Sequence, residues 1–113
     1  MTPRSPEFSI IVPSFARPHK LANCLRAFAR LEPRPEFEVI VVDDGSAVAL
    51  ASIVAAFQEQ FDVRVVSQPH LGPAAARNAG AAVARGKWLA FTDDDCAPAP
   101  DWLRALANQF AAT

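Results

Sequence analysis

No apolar stretch in these 113 residues approaches the ~20 needed to cross a bilayer. The chain also lacks a basic excess. Its formal net charge is -1, which argues against a nucleic-acid partner, because no surplus of cations is present to displace counterions from phosphates. Cysteine is scarce, with Cys24 and Cys96 the two in the chain. Cys24 falls on the apolar face of a helical pattern, where a small core residue is expected rather than a ligand or disulfide partner. No signal peptide opens the sequence, so a soluble cytoplasmic protein is expected. No internal repeat, low-complexity tract or linker divides it. At 51% hydrophobic, residues 1–113 suit a single domain.

What is present is an alternation of two periodicities. A β-branched run, Phe8 to Val12, ends at Pro13. Pro18 suits the first turn of a helix in which Leu21, Cys24, Leu25, Phe28 and Leu31 recur at helical spacing. Pro33 and Pro35 break that pattern before a second strand, Phe37 to Val42. Leu50, Ile53, Val54, Phe57 and Phe61 mark one face of a second helix, and Val63 to Val66 a short third strand. An alanine-rich helix follows from Pro73 to Ala84, then a fourth strand, Trp88 to Thr92. Pro98 and Pro100 precede a last helix with Leu103, Leu106 and Phe110 on one face. The order β-α-β-α-β-α-β-α predicts an α/β fold: a Rossmann-like, open, mainly parallel sheet of about four strands with helices on both faces.

The polar chemistry gathers where strands end. Asp93-Asp94-Asp95 directly follows the apolar run Trp88 to Phe91, which reads as a buried strand. Three adjacent carboxylates repel one another unless a cation or hydrogen-bond donors compensate. Mg²⁺ and Mn²⁺ take oxygen ligands and hold phosphates against carboxylates, so the triplet reads either as a metal–phosphate site or as an acidic turn capping the next helix. Asp43 and Asp44 end the second strand. Gly45 permits a positive φ there and Ser46 can cap the following helix, so plain turn chemistry also explains this segment. In an open α/β sheet, ligands bind outside the carboxyl ends of the strands. This fold would make neighbours of the two acidic clusters.

Four segments carry a resemblance. Ser9-Ile10-Ile11-Val12-Pro13-Ser14-Phe15, Val41-Val42-Asp43-Asp44-Gly45-Ser46, Gly72-Pro73-Ala74-Ala75-Ala76-Arg77-Asn78-Ala79-Gly80 and Phe91-Thr92-Asp93-Asp94-Asp95 occur in this order. Together they resemble the successive signatures of family 2 glycosyltransferases with the GT-A fold. The resemblance implies the first, nucleotide-sugar-binding half of that fold, with a UDP-sugar favoured and Mn²⁺ or Mg²⁺ as the divalent cofactor. It implies nucleotide-sugar contacts from Pro13, Phe15, Arg17, Asp44, Arg77, Asp93 and Asp94, and metal contacts from Asp93 and Asp95. Phe15 either stacks on a base or packs beneath its loop. A carboxylate at Asp44 suits a uracil N–H because it can only accept. Arg77 faces a diphosphate or pairs with Asp43 or Asp44. If its backbone is extended, Asp94 points away from the other two and bonds nearby amides. Cys96 is set aside as a ligand on the hard-ion preference for oxygen, and His19 and His70 are read as surface or loop residues.

The sequence departs from the family in one large respect. Members continue into an acceptor-binding half that supplies the general base, whereas this chain ends at Thr113. The catalytic base is therefore expected beyond Thr113, and the chain reads as a truncated donor-binding half that is inactive alone. Glu32, Glu36, Glu38 and Glu59 fall away from the expected cleft, and Asp101 reads as a cap of the last helix. An exposed sheet edge at the fourth strand, with Trp88, Trp102 and Phe110 uncovered, is expected to support a homodimer. The alternative is a non-catalytic nucleotide-binding or interaction module.

Overall fold

The computed structural model describes residues 5–112, and within them the alternation of periodicities becomes eight elements in the expected order. They are β1 (Phe8–Ser14), α1 (Pro18–Phe28), β2 (Phe37–Asp43), α2 (Ala51–Ala55), β3 (Val63–Ser67), α3 (Pro73–Val83), β4 (Trp88–Phe91) and α4 (Trp102–Ala112). All strand pairs are parallel, and the sheet order is β3-β2-β1-β4. The chain thus winds outward from β1 through β2 to β3, then returns to place β4 on the other side of β1. Strand order reverses between β1 and β4, and a crevice opens at the carboxyl ends of such a pair.

Alternation along the strands supplies two cores. Phe8, Ile10 and Val12 of β1, with Val39 and Val41 of β2, face Leu21, Leu25 and Phe28 of α1, Leu50 and Val54, and Leu103 of α4. Ile11, Ile40 and Val42 point the other way, onto Ala76 of α3. The small residues of α3 serve close approach. A Cβ at Gly80 would lie 2.6 Å from Ile11 Cγ2 and 3.2 Å from Val42 Cγ2, so the helix rests directly on the sheet.

Three local expectations change. The second helix is shorter than its apolar pattern. Beyond Ala55 the backbone tightens into turns, with Phe57 N–H donating to Val54 O and Gln60 N–H to Phe57 O. Leu50, Val54 and Phe57 are nonetheless buried together, because three-residue spacing still keeps one face. Ser46 does not cap this helix, which starts at Ala51 after Leu50. The run Trp88 to Phe91 is not a buried strand. Only Ala90 is buried, while Trp88, Leu89 and Phe91 are 38%, 42% and 47% exposed, because β4 is an edge strand paired with β1 alone. Trp102, by contrast, packs against the main core.

The amino-terminal end of the sheet is closed by charge. Glu38, at the start of β2, is buried and accepts from Ser9 Oγ at 2.6 Å, Arg85 N–H at 2.6 Å and Arg85 Nε at 3.1 Å. Burial pushes its carboxyl up, but the bonds from Ser9 and Arg85 outweigh that and hold it below its ordinary value. A cleft of about 650 Å³ lies at this end, lined by Arg34, Arg85, Lys87 and Arg104 among others. Three of these cations already pair with carboxylates: Arg34 with Glu36, Arg85 with Glu38 and Asp62, Arg104 with Glu32. It is larger than the cleft at the carboxyl ends, yet its charge is mostly spent internally.

Candidate active site

At the carboxyl ends of β1, β2 and β4, a cleft of about 400 Å³ is lined by Pro13, Ser14, Phe15, Arg17, Asp44, His70, Pro73 and Asp93 to Asp95. Three loops that are distant in sequence build it. After β1, the chain turns through Ala16 in the left-handed region (φ 54), a conformation that costs an L-residue about 1–2 kcal/mol. Ser46 Oγ accepts the Ala16 N–H at 2.8 Å and fixes that turn, so Ser46 joins two site loops.

Asp43 and Asp44 divide the work at the end of β2. Asp43 accepts from Ser46 N–H at 3.0 Å and from Leu50 N–H at 3.1 Å, which is turn chemistry. Asp44 instead reaches the β3–α3 loop. Its carboxylate accepts from Gln68 Nε2 and Leu71 N–H, both at 2.8 Å, and from Gly72 N–H at 3.1 Å, with His70 Nδ1 at 3.2 Å. The Gln68 amide, then the Leu71 and Gly72 N–H groups and the His70 ring, hold this carboxyl below its ordinary value against the opposing effect of desolvation. Gly45 adopts φ 85, and a Cβ there would lie 2.6 Å from His70 N, so β2 and the β3–α3 loop meet at this glycine.

The ring of His70 lies 4.1 Å from that of Phe15, centroid to centroid, at an interplanar angle of 31°. Phe15 is still 43% exposed, so it is not packed beneath its loop. His70 thus belongs to the site wall, which the sequence reading missed. The signal was available only indirectly, in its position two residues before Gly72 on a loop that Asp44 holds.

The acidic triplet is a turn rather than an extended segment. Cys96 N–H donates to Asp93 O at 3.2 Å, and this closure separates the three carboxylates. Asp94 turns inward and is buried. It accepts Ser14 Oγ at 2.8 Å and Arg17 Nη1 at 3.0 Å, side chains rather than the nearby amides expected of it. Arg17 therefore ties the β1–α1 loop to the triplet. Asp93, Asp95 and Cys96 remain exposed, and one ligand atom from each lies within 4.8 Å of the others. Beneath them, Cys24 is a core residue as expected, and its thiol sits 3.8 Å from Asp93 O. Burial first, then the Cys96, Asp94 and Asp95 charges, push that thiol up to about 12, so it stays protonated.

Arg77 lines a smaller cleft of about 240 Å³ with Pro13, Phe91, Thr92, Asp93 and Cys96. It makes no ion pair with Asp43 or Asp44 among the described residues, and its guanidinium is exposed beside the triplet. All the residues expected from the sequence, Pro13, Phe15, Arg17, Asp44, Arg77 and Asp93 to Asp95, line one of these two adjoining clefts.

The profile of Glycosyl transferase family 2 matches residues 9–113. The chain belongs to this family. The glycosyltransferase AglE of Haloferax volcanii is 32% identical to it over 116 residues, covering 100% of this chain and 38% of that protein. A pre-mycofactocin glycosyltransferase of Mycobacterium tuberculosis is 45% identical over 75 residues, covering 64% and 15%. Among solved structures, residues 1–349 of TarS of S. aureus in complex with UDP superimpose with a TM-score of 0.86 at 28% identity, over 94% of this chain and 32% of that one. The mannosyltransferase PcManGT of Pyrobaculum calidifontis, in complex with GDP-Man and Mn²⁺, gives 0.78 at 28% identity, over 88% and 31%. This family-2 chain therefore has the fold of the first part of GT-A glycosyltransferases and spans well under half the length of these relatives.

Proposed function

We propose that this family-2 chain binds a nucleoside diphosphate sugar, UDP-sugar favoured, with a divalent cation, and serves as the donor half of a sugar transfer. The observation that carries this reading is the convergence of the β1–α1 loop, Asp44 and the Asp93 to Asp95 turn on one cleft. Phe15 and His70 offer an aromatic wall for a nucleobase. Asp44 holds that wall in place. A base N–H would reach its carboxylate only by competing with Gln68 or His70, which ties base recognition to the order of the β3–α3 loop.

Asp93 and Asp95 form the oxygen part of the donor set that suits Mn²⁺ or Mg²⁺. A bound cation there would neutralise the diphosphate as it leaves. Arg77, exposed beside Asp93, would contact the same phosphates. Asp94 acts as a positioning residue, fixing the turn from below. The carboxylates lining the cleft among the described residues are Asp44, Asp93, Asp94 and Asp95. Two of them are occupied by internal hydrogen bonds and two are assigned to the cation, so no base for an acceptor hydroxyl is supplied here and the chain alone transfers no sugar.

Calorimetry with UDP tests the reading. Binding should appear with Mn²⁺ and vanish with EDTA, and Asp95→Ala should remove the metal dependence. Equal heats with and without metal would refute the metal assignment.

A further inference from the structure

We propose that Ser46 is a positioning residue for the nucleobase, setting the Phe15 ring for stacking through the backbone of the β1–α1 loop. The inference rests on the donor-binding reading and deepens it by naming what holds the aromatic wall. The two halves of that wall are built differently. His70 is held directly, since its Nδ1 lies 3.0 Å from Asp44 O and 3.2 Å from Asp44 Oδ2. Both neighbours accept, so Nδ1 carries the proton and the ring keeps one orientation. Phe15 has no polar side-chain atom to bond, and its ring is 43% exposed, 4.1 Å from that of His70. Its direction is therefore set by its backbone.

That backbone is strained. Ala16, the next residue, sits at φ 54, where its Cβ crowds the following carbonyl oxygen. The hydrogen bond from Ala16 N–H to Ser46 Oγ at 2.8 Å opposes the strain. Ser46 is itself held. Asp43, buried at the end of β2, accepts its N–H at 3.0 Å, and the neighbouring Asp44 N–H donates to Ser14 O at 2.9 Å. The end of β2 thus reaches both halves of the wall, through Asp44 to His70 and through Asp43 and Ser46 to Phe15. Stacking a base on a ring already in place costs less than ordering that ring on binding. The acidic turn has its own support from Ser14, which precedes the strained residue on β1.

The test compares UDP with inorganic pyrophosphate, each with Mn²⁺, by calorimetry on the 113-residue chain, alongside hydrogen exchange of the Ala16 amide in the free protein. Ser46 belongs to neither core, so its variants keep the fold. Ser46→Ala should speed exchange at Ala16 and weaken UDP binding by roughly two- to tenfold, the range for one lost hydrogen bond. Pyrophosphate binding should not change. Ser46→Thr keeps the oxygen and should bind UDP like the wild type. In a Phe15→Ala background, Ser46→Ala should cost little more, because both act through the same ring. Equal UDP affinity in wild type and Ser46→Ala would overturn the inference and leave the donor-site reading standing. An equal loss on UDP and pyrophosphate would show general disorder of the site and would also overturn it. A wild type that does not bind UDP would remove both.

Discussion

Replacing Asp94 with alanine separates a positioning role from direct contact with the donor. The substitution removes two interactions. Ser14 Oγ donates to Asp94 Oδ2 at 2.8 Å, with both residues buried. A hydrogen bond to a charged group contributes about 1.5–3 kcal/mol, and an orphaned buried hydroxyl costs about 1–3 kcal/mol. Arg17 Nη1 lies 3.0 Å from Oδ1, but its side chain is 42% exposed, so this pair adds only about 0–1 kcal/mol. We expect a loss of about 2–4 kcal/mol in urea unfolding, and for a domain of this size a fall in Tm of about 4 °C per kcal/mol. Ser14→Ala in a double-mutant cycle with Asp94→Ala should return a coupling of about 0.5–3 kcal/mol. Metal-dependent UDP binding should weaken in proportion to the disorder of the turn and recover partly in Asp94→Asn, which retains an acceptor for Ser14. An Asp94→Ala protein within about 0.5 kcal/mol of wild type, yet unable to bind UDP, would refute the positioning role and return Asp94 to the ligand.

Three further outcomes follow from the packing and charge. Gly80→Val should cost about 1–3 kcal/mol by forcing α3 off Ile11 and Val42, and an unchanged urea midpoint would contradict the close contact. Asp44 and Glu38 both have folded-state values below their ordinary ones. Their contribution is therefore complete above about pH 4–4.5 and is lost as pH falls through the lowered values; urea midpoints from pH 7 down to 3 should show this loss, with a shallower fall in Asp44→Asn and Glu38→Gln. The exposed β4 edge, with Trp88, Leu89 and Phe91 partly uncovered, is expected to mediate a two-fold dimer, which light scattering at increasing concentration would detect and a clean monomer would contradict.

Much of this protein was legible along the chain because its elements are local. Each strand is a short β-branched or aromatic run, each long helix carries a repeating apolar face, and prolines mark the breaks. Those patterns depend on which face meets the core and can be read without knowing the partner. The ends of α2 were not legible, since Phe57 and Phe61 satisfy a turn and a helix alike. For β4 the chain supported two expectations, a buried strand and an exposed edge with Trp88 uncovered, and the exposed edge is what forms. An apolar tetrapeptide reads the same whether a strand has one neighbour or two, and the order β3-β2-β1-β4 gave it one.

For the site, the sequence alone determined which residue types stand at the ends of β1, β2 and β4, because the acidic and proline-rich segments directly follow the apolar runs. Tertiary structure decided how they divide their roles. Asp43 serves its own turn, while Asp44 reaches the β3–α3 loop 24 to 28 residues away in sequence and brings His70 to Phe15. Asp94 is claimed by Ser14 and Arg17, about eighty residues earlier, and that leaves Asp93, Asp95 and Cys96 together above the fold. Three adjacent carboxylates are chemically identical in sequence. Only the donors that each one meets after folding make one structural and leave two free for a ligand.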